Sequence, residues 1–312
     1  MKWEKKGLIY VPDGNFDWAV SHAQLPIADV NHRDFWRIYY AARNRSGQST
    51  IGYIHVSPEA PEKIVYIHPD PLLPFGKLGT FDESGLMPVA VVDHDDRKYL
   101  YYAGWSLKKT VSYHNTIGLA ISEDNGQTFR KYGEGPLFDS TPFEPYSNGT
   151  VNILIENGVW RAWYQSITKW VLVGGRPEPY YHLKYAESAD GVNWQRNAHV
   201  AIDYKDENEA GICSASVIRE GGIYKMWYCY RCAGDYRNDK RLSYRIGYAE
   251  STDGLGWTRK DEDAGIDIGD EGWDSEMIAY PNVIVAGRRE FMFFNGNGFG
   301  RSGFGYAVAN KK

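Results

Sequence analysis

Four short acidic segments recur along the chain, each just ahead of an apolar stretch that is typical of a β-strand. They read Phe81-Asp82-Glu83-Ser84-Gly85, Phe143-Glu144-Pro145-Tyr146, Glu207-Asn208-Glu209-Ala210-Gly211 and Gly272-Trp273-Asp274-Ser275-Glu276. When the following strands are aligned, Asp82 and Glu209 share one register, and Asp274 and Glu276 flank the corresponding position further on. Carboxyl groups gathered at one site separate into a proton donor and an ionised base or nucleophile. Such a pair can cleave or transfer a glycosyl unit.

These segments belong to a repeat that runs along the chain. An aromatic-rich strand recurs at residues 37–40, 99–102, 160–164, 224–228 and 291–294. A second strand, rich in Gly, Tyr and Ala, recurs at positions 53, 119, 185, 248 and 306, so the spacings are 66, 66, 63 and 58 residues. A period of this size built from short strands is typical of repeated four-stranded sheets around an axis. We therefore predict an all-β fold, a five-bladed β-propeller with four-stranded blades, and a single domain over residues 1–312.

The two chain ends complement each other. The last repeat reaches its third strand just before residue 312, and segment 3–9 reads like segment 257–268 at the end of the fourth repeat. The N-terminal strand is therefore predicted to pair into the C-terminal blade and close the ring, because closure removes exposed strand edges.

Strand direction predicts where the acids lie. Antiparallel strands alternate in direction, so the segments before the first strand of each repeat share a face with the connections between the second and third strands. Those connections are long, at 104–115, 166–182, 231–243 and 295–302, whereas the turns on the other face are short. Function usually concentrates on such variable loops over a rigid scaffold. We therefore expect a ring of carboxylates at the mouth of a central channel, although loop acids that only cap turns or pair with local cations are the alternative.

Aromatic and polar side chains in the same connections could bind a sugar by stacking and hydrogen bonding. The candidate binding residues are Trp18, His22, Trp105, Trp170, Arg231, Asn295 and Asn297. Many cations also fall there, among them Lys108, Lys109, Lys169, Arg176, Arg237, Lys240, Arg241 and Arg301. Two interpretations stay open at this point: a solvated charged rim, or a site for a phosphate, a nucleotide-sugar or an acidic sugar.

Composition excludes several other classes of protein. The net charge of −5 argues against a nucleic-acid partner, which needs a basic surface. The polar N-terminus does not resemble a secretory signal, and no apolar run is long enough to span a membrane. Three cysteines form no disulfide framework, which favours the cytoplasm. Cys229 and Cys232 have CxxC spacing but no second pair or nearby histidine, so we predict no metal or cofactor.

The turns after the third strands carry a different kind of acid. Asp124, Asp190 and Asp253 each stand one or two residues before a glycine, where a short acidic side chain can bind the amides of its own turn. The three segments resemble the Asp-boxes of sialidases, which are structural in that fold. We therefore do not assign these three residues to catalysis.

The whole chain resembles the five-bladed propeller glycosidases of glycoside hydrolase families 43, 32, 68 and 130. It is most similar to short single-domain members that accompany bacterial surface-polysaccharide genes. Segments 79–85, 185–188, 248–251, 272–277 and 294–300 carry the resemblance. In that group an Asp base or nucleophile, an orienting Asp and a Glu acid stand on the first strands of the first three blades, and Asp82 and Glu144 match two of them. The first blade departs, because Asp17 lies upstream of the expected place.

Together these patterns predict a carbohydrate-active enzyme that hydrolyses or transfers a glycosyl unit, with an oligosaccharide or activated sugar as its partner. Asp82 is the expected base or nucleophile and Glu209 the proton donor, with Glu144, Asp274 and Glu276 in reserve. His22 is expected to orient a carboxylate or a sugar hydroxyl. Two alternatives stay open: a phosphate-dependent phosphorylase or transferase, and a non-catalytic sugar-binding propeller in polysaccharide biosynthesis.

Overall fold

The computed structural model describes residues 2–310, so residues 1, 311 and 312 of the predicted domain lie outside the described residues. The chain is all-β. Its strands are β1 (Glu4–Tyr10), β2 (Ser21–Asp29), β3 (Trp36–Arg43), β4 (Ser49–Val56), β5 (Ile64–Ile67), β6 (Gly85–His94), β7 (Arg97–Leu107), β8 (Tyr113–Ser122), β9 (Arg130–Lys131), β10 (Asn148–Glu156), β11 (Val159–Val173), β12 (Arg176–Ser188), β13 (Trp194–Gln195), β14 (Val200–Ile202), β15 (Glu209–Glu220), β16 (Ile223–Cys232), β17 (Arg245–Ser251), β18 (Thr258–Arg259), β19 (Ala279–Ala286), β20 (Arg289–Asn295) and β21 (Phe304–Asn310). A 3-10 turn spans Asp261–Asp263, and a short helix, α1, spans Asn297–Gly300. None of the helices in this described range is long and apolar enough to cross a membrane.

The strands form three hydrogen-bonded sheets of eight, nine and four strands. A single parallel pair, Ser49 with Gly85, joins two antiparallel halves of the first sheet, and Tyr181 with Gly211 does the same in the second. The chain therefore consists of five antiparallel units. We call them repeat 1 (β2–β5), repeat 2 (β6–β9), repeat 3 (β10–β14), repeat 4 (β15–β18) and repeat 5 (β19–β21 with β1).

The first strand of each repeat contacts the first strands of two others. β2 contacts β6, β6 contacts β10, β10 contacts β15, β15 contacts β19, and β19 contacts β2. A narrow cavity of about 60 Å³ lies among these five strands and is lined by residues from all of them. Its lining is mostly aliphatic, with Thr150, Asn152, Ser214, Tyr280 and Asn282 as the polar members. We call it the axial cavity, and it contains no carboxylate in its lining.

The N-terminal strand pairs with the last repeat, as the sequence predicts. β1 runs antiparallel to β21, from Glu4 opposite Val308 to Tyr10 opposite Phe304. Just before β1, the Trp3 ring is 4% exposed and packs edge-on against Trp227 at 5.6 Å between ring centroids. Trp3, Ile9 and Tyr10 are therefore part of the packed interior.

A recurring contact between an aromatic ring and a glycine explains part of the repeat. Trp18, Phe81 and Trp273 precede the first strands of repeats 1, 2 and 5, and each ring lies over a glycine of the third strand in its repeat: Gly52, Gly118 and Gly305, respectively. A Cβ at any of these glycines would overlap the ring, so only glycine permits the contact. Repeat 3 has Lys184 where the other third strands have glycine.

The predicted loop 166–182 is largely a continuation of two strands. β11 and β12 keep pairing out to Val173 opposite Arg176, and the two positive-φ glycines Gly174 and Gly175 make the turn. The sequence prediction placed Trp170 in a loop because it ended the second strand near residue 165, although the apolar run 170–173 favours a strand. Continued hydrogen bonding between the two strands makes this arm a hairpin instead.

The three turn acids act as predicted. Oδ1 of Asp124, Asp190 and Asp253 each accepts two backbone N–H groups of its own turn at 2.8–3.0 Å. These hydrogen bonds favour the charged carboxylate and lower the pKa of Asp190 and of Asp253. The turns are structural elements of repeats 2, 3 and 4.

Candidate functional site

The four recurring acids are buried, and each is bonded within its own repeat. Asp82, Glu144, Glu209 and Asp274 are between 2% and 7% exposed. In repeat 2, Asp82 accepts hydrogen bonds from Lys131 Nζ on β9 at 2.5 Å and from Tyr102 on β7 at 3.1 Å. β9 is the outer strand of that repeat, and Asp82 and Lys131 together line a small cavity of about 180 Å³ that is separate from the axial cavity.

The same arrangement recurs with different cations. Arg259 on β18 donates to both oxygens of Glu209 at 2.7 Å. Lys5 on β1 donates to Asp274 at 2.7 Å. In repeat 3, the lysine that replaces the glycine of the other repeats, Lys184, lies 3.8 Å from Glu144, which also accepts a hydrogen bond from Tyr164 at 2.8 Å.

These ion pairs explain why acids recur at one register. Each acid pairs with a cation of its own repeat. A buried charge requires such a partner. In repeats 2, 4 and 5 the cation belongs to the outer strand (β9, β18 and β1), whereas Glu144 in repeat 3 is held by β11 and β12. The catalytic assignment of Asp82, Glu209, Glu144 and Asp274 stays a prediction. Glu276 is exposed, and its backbone N–H, rather than its carboxylate, is held by Asn297 at 2.8 Å.

Three of the predicted binding residues have structural contacts. The Trp18 ring packs over Gly52, and its Nε1 donates to the Pro69 carbonyl at 2.7 Å. Asn295 is fully buried and connects β20 to β2, where it accepts from Leu25 N at 2.8 Å and donates to the Ala23 carbonyl at 2.6 Å. Asn297 holds the backbone of the segment before β19. Sequence reasoning grouped these residues with the binding loops because their connections lie on the predicted face.

Arg231 is also enclosed rather than open to a ligand. It is 1% exposed, its guanidinium lies 3.9 Å from the centroid of the Tyr236 ring, and its Nε donates to Tyr181 OH at 3.1 Å. Arg237 beside it pairs with Glu178 at 2.9 Å. The cluster anchors the β11–β12 hairpin against the segment that follows β16.

The remaining predicted residues lie around the end of the axial cavity where the first strands begin. His22 and Gln24 are at the start of β2, and Gln24 Oε1 accepts a hydrogen bond from Arg43 Nε at 3.1 Å. The charges of Arg43 and Arg301 both act on His22. Tyr280, at the start of β19, lines the axial cavity together with Leu25, the residue after Gln24. We call the group of His22, Gln24, Arg43, Tyr280, Phe299 and Arg301 the front mouth.

Aromatic side chains continue from the front mouth toward the β11–β12 hairpin. Phe299 and Tyr280 lie 5.9 and 6.3 Å from the Tyr244 ring between centroids. Further along, Tyr113 contacts Trp105 edge-on at 4.5 Å and Trp170 at 5.4 Å. Trp105 and Trp170 are partly exposed, so the structure brings these two predicted residues together as one aromatic surface.

Two arginines of the front mouth have no acidic partner. Within residues 2–310, Arg43 forms its one side-chain hydrogen bond with the neutral Gln24, and the exposed Arg301 side chain forms none. Sequence reasoning missed Arg43 and Tyr280. The sequence could have indicated Arg43. The second strand of a repeat runs antiparallel to the first, so its last residue lies beside the start of the first strand, as Arg43 lies opposite Ser21.

Burial and the two arginines keep His22 neutral. Its ring is half-buried, and Nδ1 lies 2.9 Å from Ser21 Oγ. Burial, then the charges of Arg43 and Arg301, lower the pKa of His22 to about 4. At neutral pH the site therefore presents two guanidinium groups and an uncharged imidazole, which together favour an anionic ligand.

We expect His22 to titrate with a midpoint near pH 4 rather than near 6.5, as followed by its imidazole resonances in NMR spectra. Because the folded state binds this proton more weakly than the unfolded state does, His22 lowers the stability of the fold as the pH falls from about 6.5 to about 4. His22→Gln should therefore flatten that part of the stability profile. Arg43→Met should raise the midpoint of His22, and a wild-type midpoint near 6.5 would contradict the assignment.

Comparison with known proteins gives a family and a fold. The chain is 38% identical over 308 residues to uncharacterized protein MT1551 of Mycobacterium tuberculosis strain CDC 1551 / Oshkosh, covering 99% of both chains. The identity and coverage are the same for uncharacterized protein Rv1502 of Mycobacterium tuberculosis strain ATCC 25618 / H37Rv. No protein-family model matches the chain.

Solved structures with the same fold are more distant. One is a thermostable family-43 glycoside hydrolase, with a TM-score of 0.65, 18% identity, and coverage of 96% of this chain and 91% of that one. Another has a TM-score of 0.72 and 15% identity, and the match covers 99% of this chain and 93% of that one. Its description states that the GH130 family of mannoside phosphorylases contains glycoside hydrolases that target β-1,2 mannosidic linkages in Candida mannan. The family 32 β-fructofuranosidase BmSUC1 of Bombyx mori has a TM-score of 0.67 and 15% identity, and the match covers 98% of this protein and 61% of that enzyme.

At these identities the solved structures show the fold alone. They confirm the predicted resemblance to glycoside hydrolases at the level of architecture. The sequence relatives are much closer and match over nearly their whole length. The chain therefore belongs to the family of the Mycobacterium tuberculosis proteins MT1551 and Rv1502.

Proposed function

We propose that this chain is a single five-bladed β-propeller, closed by β1, that binds a phosphate-bearing or otherwise acidic carbohydrate at the front mouth and transfers a glycosyl unit there. The cyclic contacts among β2, β6, β10, β15 and β19 support five blades, and the pairing of β1 with β21 supports closure. The fold it shares with glycoside hydrolases supports a carbohydrate ligand.

The observation that carries the anionic ligand is the pair of arginines without carboxylate partners. The charges of Arg43 and Arg301 act on one imidazole, that of His22, and Phe299 lies two residues before Arg301 in the segment that contacts β2. Guanidinium groups bind phosphate and carboxylate with charge-assisted hydrogen bonds, and the aromatic rings provide a surface for a sugar ring.

Phosphate as a co-substrate fits this chemistry better than water does. Hydrolysis by two carboxylates needs one to activate water or to attack carbon. In phosphorolysis a phosphate oxygen forms the new bond to the anomeric carbon, the bond to the leaving oxygen breaks, and a proton moves to that oxygen. An anion between the arginines would also raise the pKa of His22, so that the imidazole could take up and return a proton.

A second candidate function is sugar binding without catalysis. It is favoured by the lining of the axial cavity, which holds no carboxylate among the described residues. Under that function the protein binds the same acidic ligands at the front mouth, but does not turn them over.

The test compares sugar release from neutral oligosaccharides with and without inorganic phosphate, together with binding of sugar phosphates by calorimetry. We expect phosphate-dependent formation of a sugar 1-phosphate. Arg43→Met should weaken phosphate-dependent turnover and sugar-phosphate binding by about 10- to 100-fold, which corresponds to the loss of a hydrogen bond from a charged group.

Arg45→Met is the matched control, because Arg45 lies two residues away, is 75% exposed and only approaches Asp17 at 3.9 Å. Binding sensitive to Arg43→Met without any turnover would support the non-catalytic function. Hydrolysis that does not depend on phosphate and persists in Arg43→Met would refute the proposed reaction. It would favour a mechanism that uses the buried acids instead.

A further inference from the structure

A second concave surface lies at the other end of the strands. Between repeats 1 and 2, a cleft of about 560 Å³ is lined by residues of β3, β4 and β5, by the connection between β2 and β3, and by the turn after β8. We call it the back cleft, and its principal residues are His32, Phe35, Arg37, Tyr53, His55 and Tyr66. Arg37 is the second residue of β3 and Arg43 the last, so the two sites lie about 20 Å apart along that strand.

Five rings form a continuous column along the back cleft. In order they are His32, Phe35, His55, Tyr53 and His68, with successive centroids 4.4, 3.8, 5.2 and 4.4 Å apart and all four pairs stacked within about 21° of parallel. Tyr66 lies beside the column, 5.1 Å from His55, and is 42% exposed. The exposed ring of Tyr66 is a surface on which a sugar ring can stack.

Arg37 provides a buried positive charge at the floor of the cleft. It is 2% exposed, yet all its hydrogen bonds go to neutral acceptors: His55 Nε2 at 3.1 Å, the Asn125 carbonyl at 2.7 Å and Tyr39 OH at 3.4 Å. Its Nη2 donates to no group within residues 2–310. The guanidinium also lies 4.6 Å from the centroid of the Tyr53 ring.

One acid lies beside the back cleft. The Asp29 carboxylate contacts His32 Nε2 at 3.3 Å and pairs with Lys98 at 2.8 Å, and Lys98 also pairs with Asp93 at 2.6 Å. Burial lowers the pKa of His32, and burial together with the Arg37 charge lowers the pKa of His55 to about 4, so both imidazoles are neutral at pH 7. Asp29 therefore has its own cation in Lys98, and the rings that line the cleft around Arg37 are uncharged.

A corresponding arginine elsewhere in the molecule shows what a purely structural role requires. Arg161 follows a tryptophan on β11, as Arg37 does on β3, and its Nη1 donates to the Asp253 carbonyl in the next repeat at 2.7 Å. Arg161 also has an acid beside it, with Glu156 at 3.8 Å. The contact between repeats is thus the same in both places, but only Arg37 is left without a carboxylate.

We propose that the back cleft binds an acidic sugar unit, with its ring against Tyr66 and its carboxylate or phosphate on the Arg37 guanidinium. This is a second carbohydrate site, separate from the front mouth and independent of the reaction proposed there. A buried cation gains most from an anion that replaces its missing partner, and a sugar ring matches the open aromatic edge of the column.

The experiment measures binding to the full chain by calorimetry, with NMR of the histidine side chains as the reporter of position. The probes are trigalacturonate and glucose 6-phosphate as acidic sugars, galactotriose as a neutral sugar, and inorganic phosphate as an anion without a ring. We expect at least one acidic sugar to bind at least tenfold more tightly than galactotriose and inorganic phosphate, and to shift the resonances of His55 and His68.

Tyr66→Ala should weaken that binding roughly fivefold or more and abolish the histidine shifts. Because Tyr66 is exposed, this variant is expected to fold like the wild type, so a loss of binding reports on the cleft. Tyr132→Ala, at a tyrosine that is 56% exposed on repeat 2, is the matched control and should bind like the wild type.

Arg43→Met separates this site from the front mouth, and the binding reported by His55 should persist in that variant. Equal affinity for galactotriose would overturn the proposal, and so would unchanged binding in Tyr66→Ala. Binding lost in Arg43→Met but not in Tyr66→Ala would also overturn it, while leaving the front-mouth function intact.

Discussion

A variant that begins at Val11 is expected to lose the cooperative unfolding transition of the wild type, as followed by circular dichroism in urea. The deletion removes β1, which leaves the edge of β21 unpaired along its length. It also removes Trp3, Ile9 and Tyr10, whose side chains are at least nine-tenths buried. Burial of each such side chain contributes about 1.5–3 kcal/mol, so the combined loss is comparable with the whole stability of a typical domain.

A single substitution in the same segment tests the same contribution in a protein that can still fold. Trp3→Ala is expected to lower the free energy of unfolding by about 3–5 kcal/mol, because it opens a cavity beside Trp227. Val11→Ala, at a side chain that is 41% exposed just after β1, should change stability by less than about 0.5 kcal/mol. Equal stability of Trp3→Ala and Val11→Ala would show that the N-terminal segment is not part of the cooperative unit.

Asp82→Asn is expected to lower the free energy of unfolding by about 3–5 kcal/mol. The substitution removes the charge that pairs with Lys131, and loss of one partner leaves the other uncompensated in a largely buried place. Urea unfolding measures this effect. Lys131→Met combined with Asp82→Asn should recover part of the loss, since the double variant leaves no unpaired charge.

The same variant separates a structural acid from a catalytic one. A structural Asp82 lowers stability while the folded fraction keeps its ligand binding and turnover, whereas a catalytic Asp82 loses turnover in a protein of unchanged stability. Asp17→Asn is the matched control, because the Asp17 side chain is 99% exposed and only approaches Arg45 at 3.9 Å. Wild-type stability with abolished turnover in Asp82→Asn would reinstate the acid mechanism predicted from the sequence.

Much of the architecture could be predicted because it follows from short patterns of residues along the sequence. The recurring aromatic strands, the turn acids such as Asp190, and the similarity of segment 3–9 to segment 257–268 all depend on neighbours in the sequence. Alternation of apolar residues and turn-forming glycines selects strands and turns before any distant contact forms. The strand order of the sheets and the pairing of β1 with β21 agree with that prediction.

The partners of the acids could not be predicted in this way. Lys131 is 49 residues from Asp82, and Lys5 is 269 residues from Asp274. Which cation lies opposite a given carboxylate depends on the packing of the connecting segment over its repeat. The extended hairpin that carries Trp170 was missed for another reason. Residues 170–173 are apolar and favour a strand, but how far two strands continue to pair depends on tertiary contacts such as that of Trp170 with Tyr113.

The sequence by itself determined the repeat, the strands and the face on which each connection begins, since these follow from residue spacing and chain direction. Tertiary structure decided which way the acidic side chains point. The ring before Asp82 and Asp274 packs over a glycine of the same repeat, and this contact turns the next residue toward the outer strand and its cation. Packing thereby places the recurring acids in ion pairs, whereas Arg43 and Arg301 at the front mouth have no acidic partner among residues 2–310.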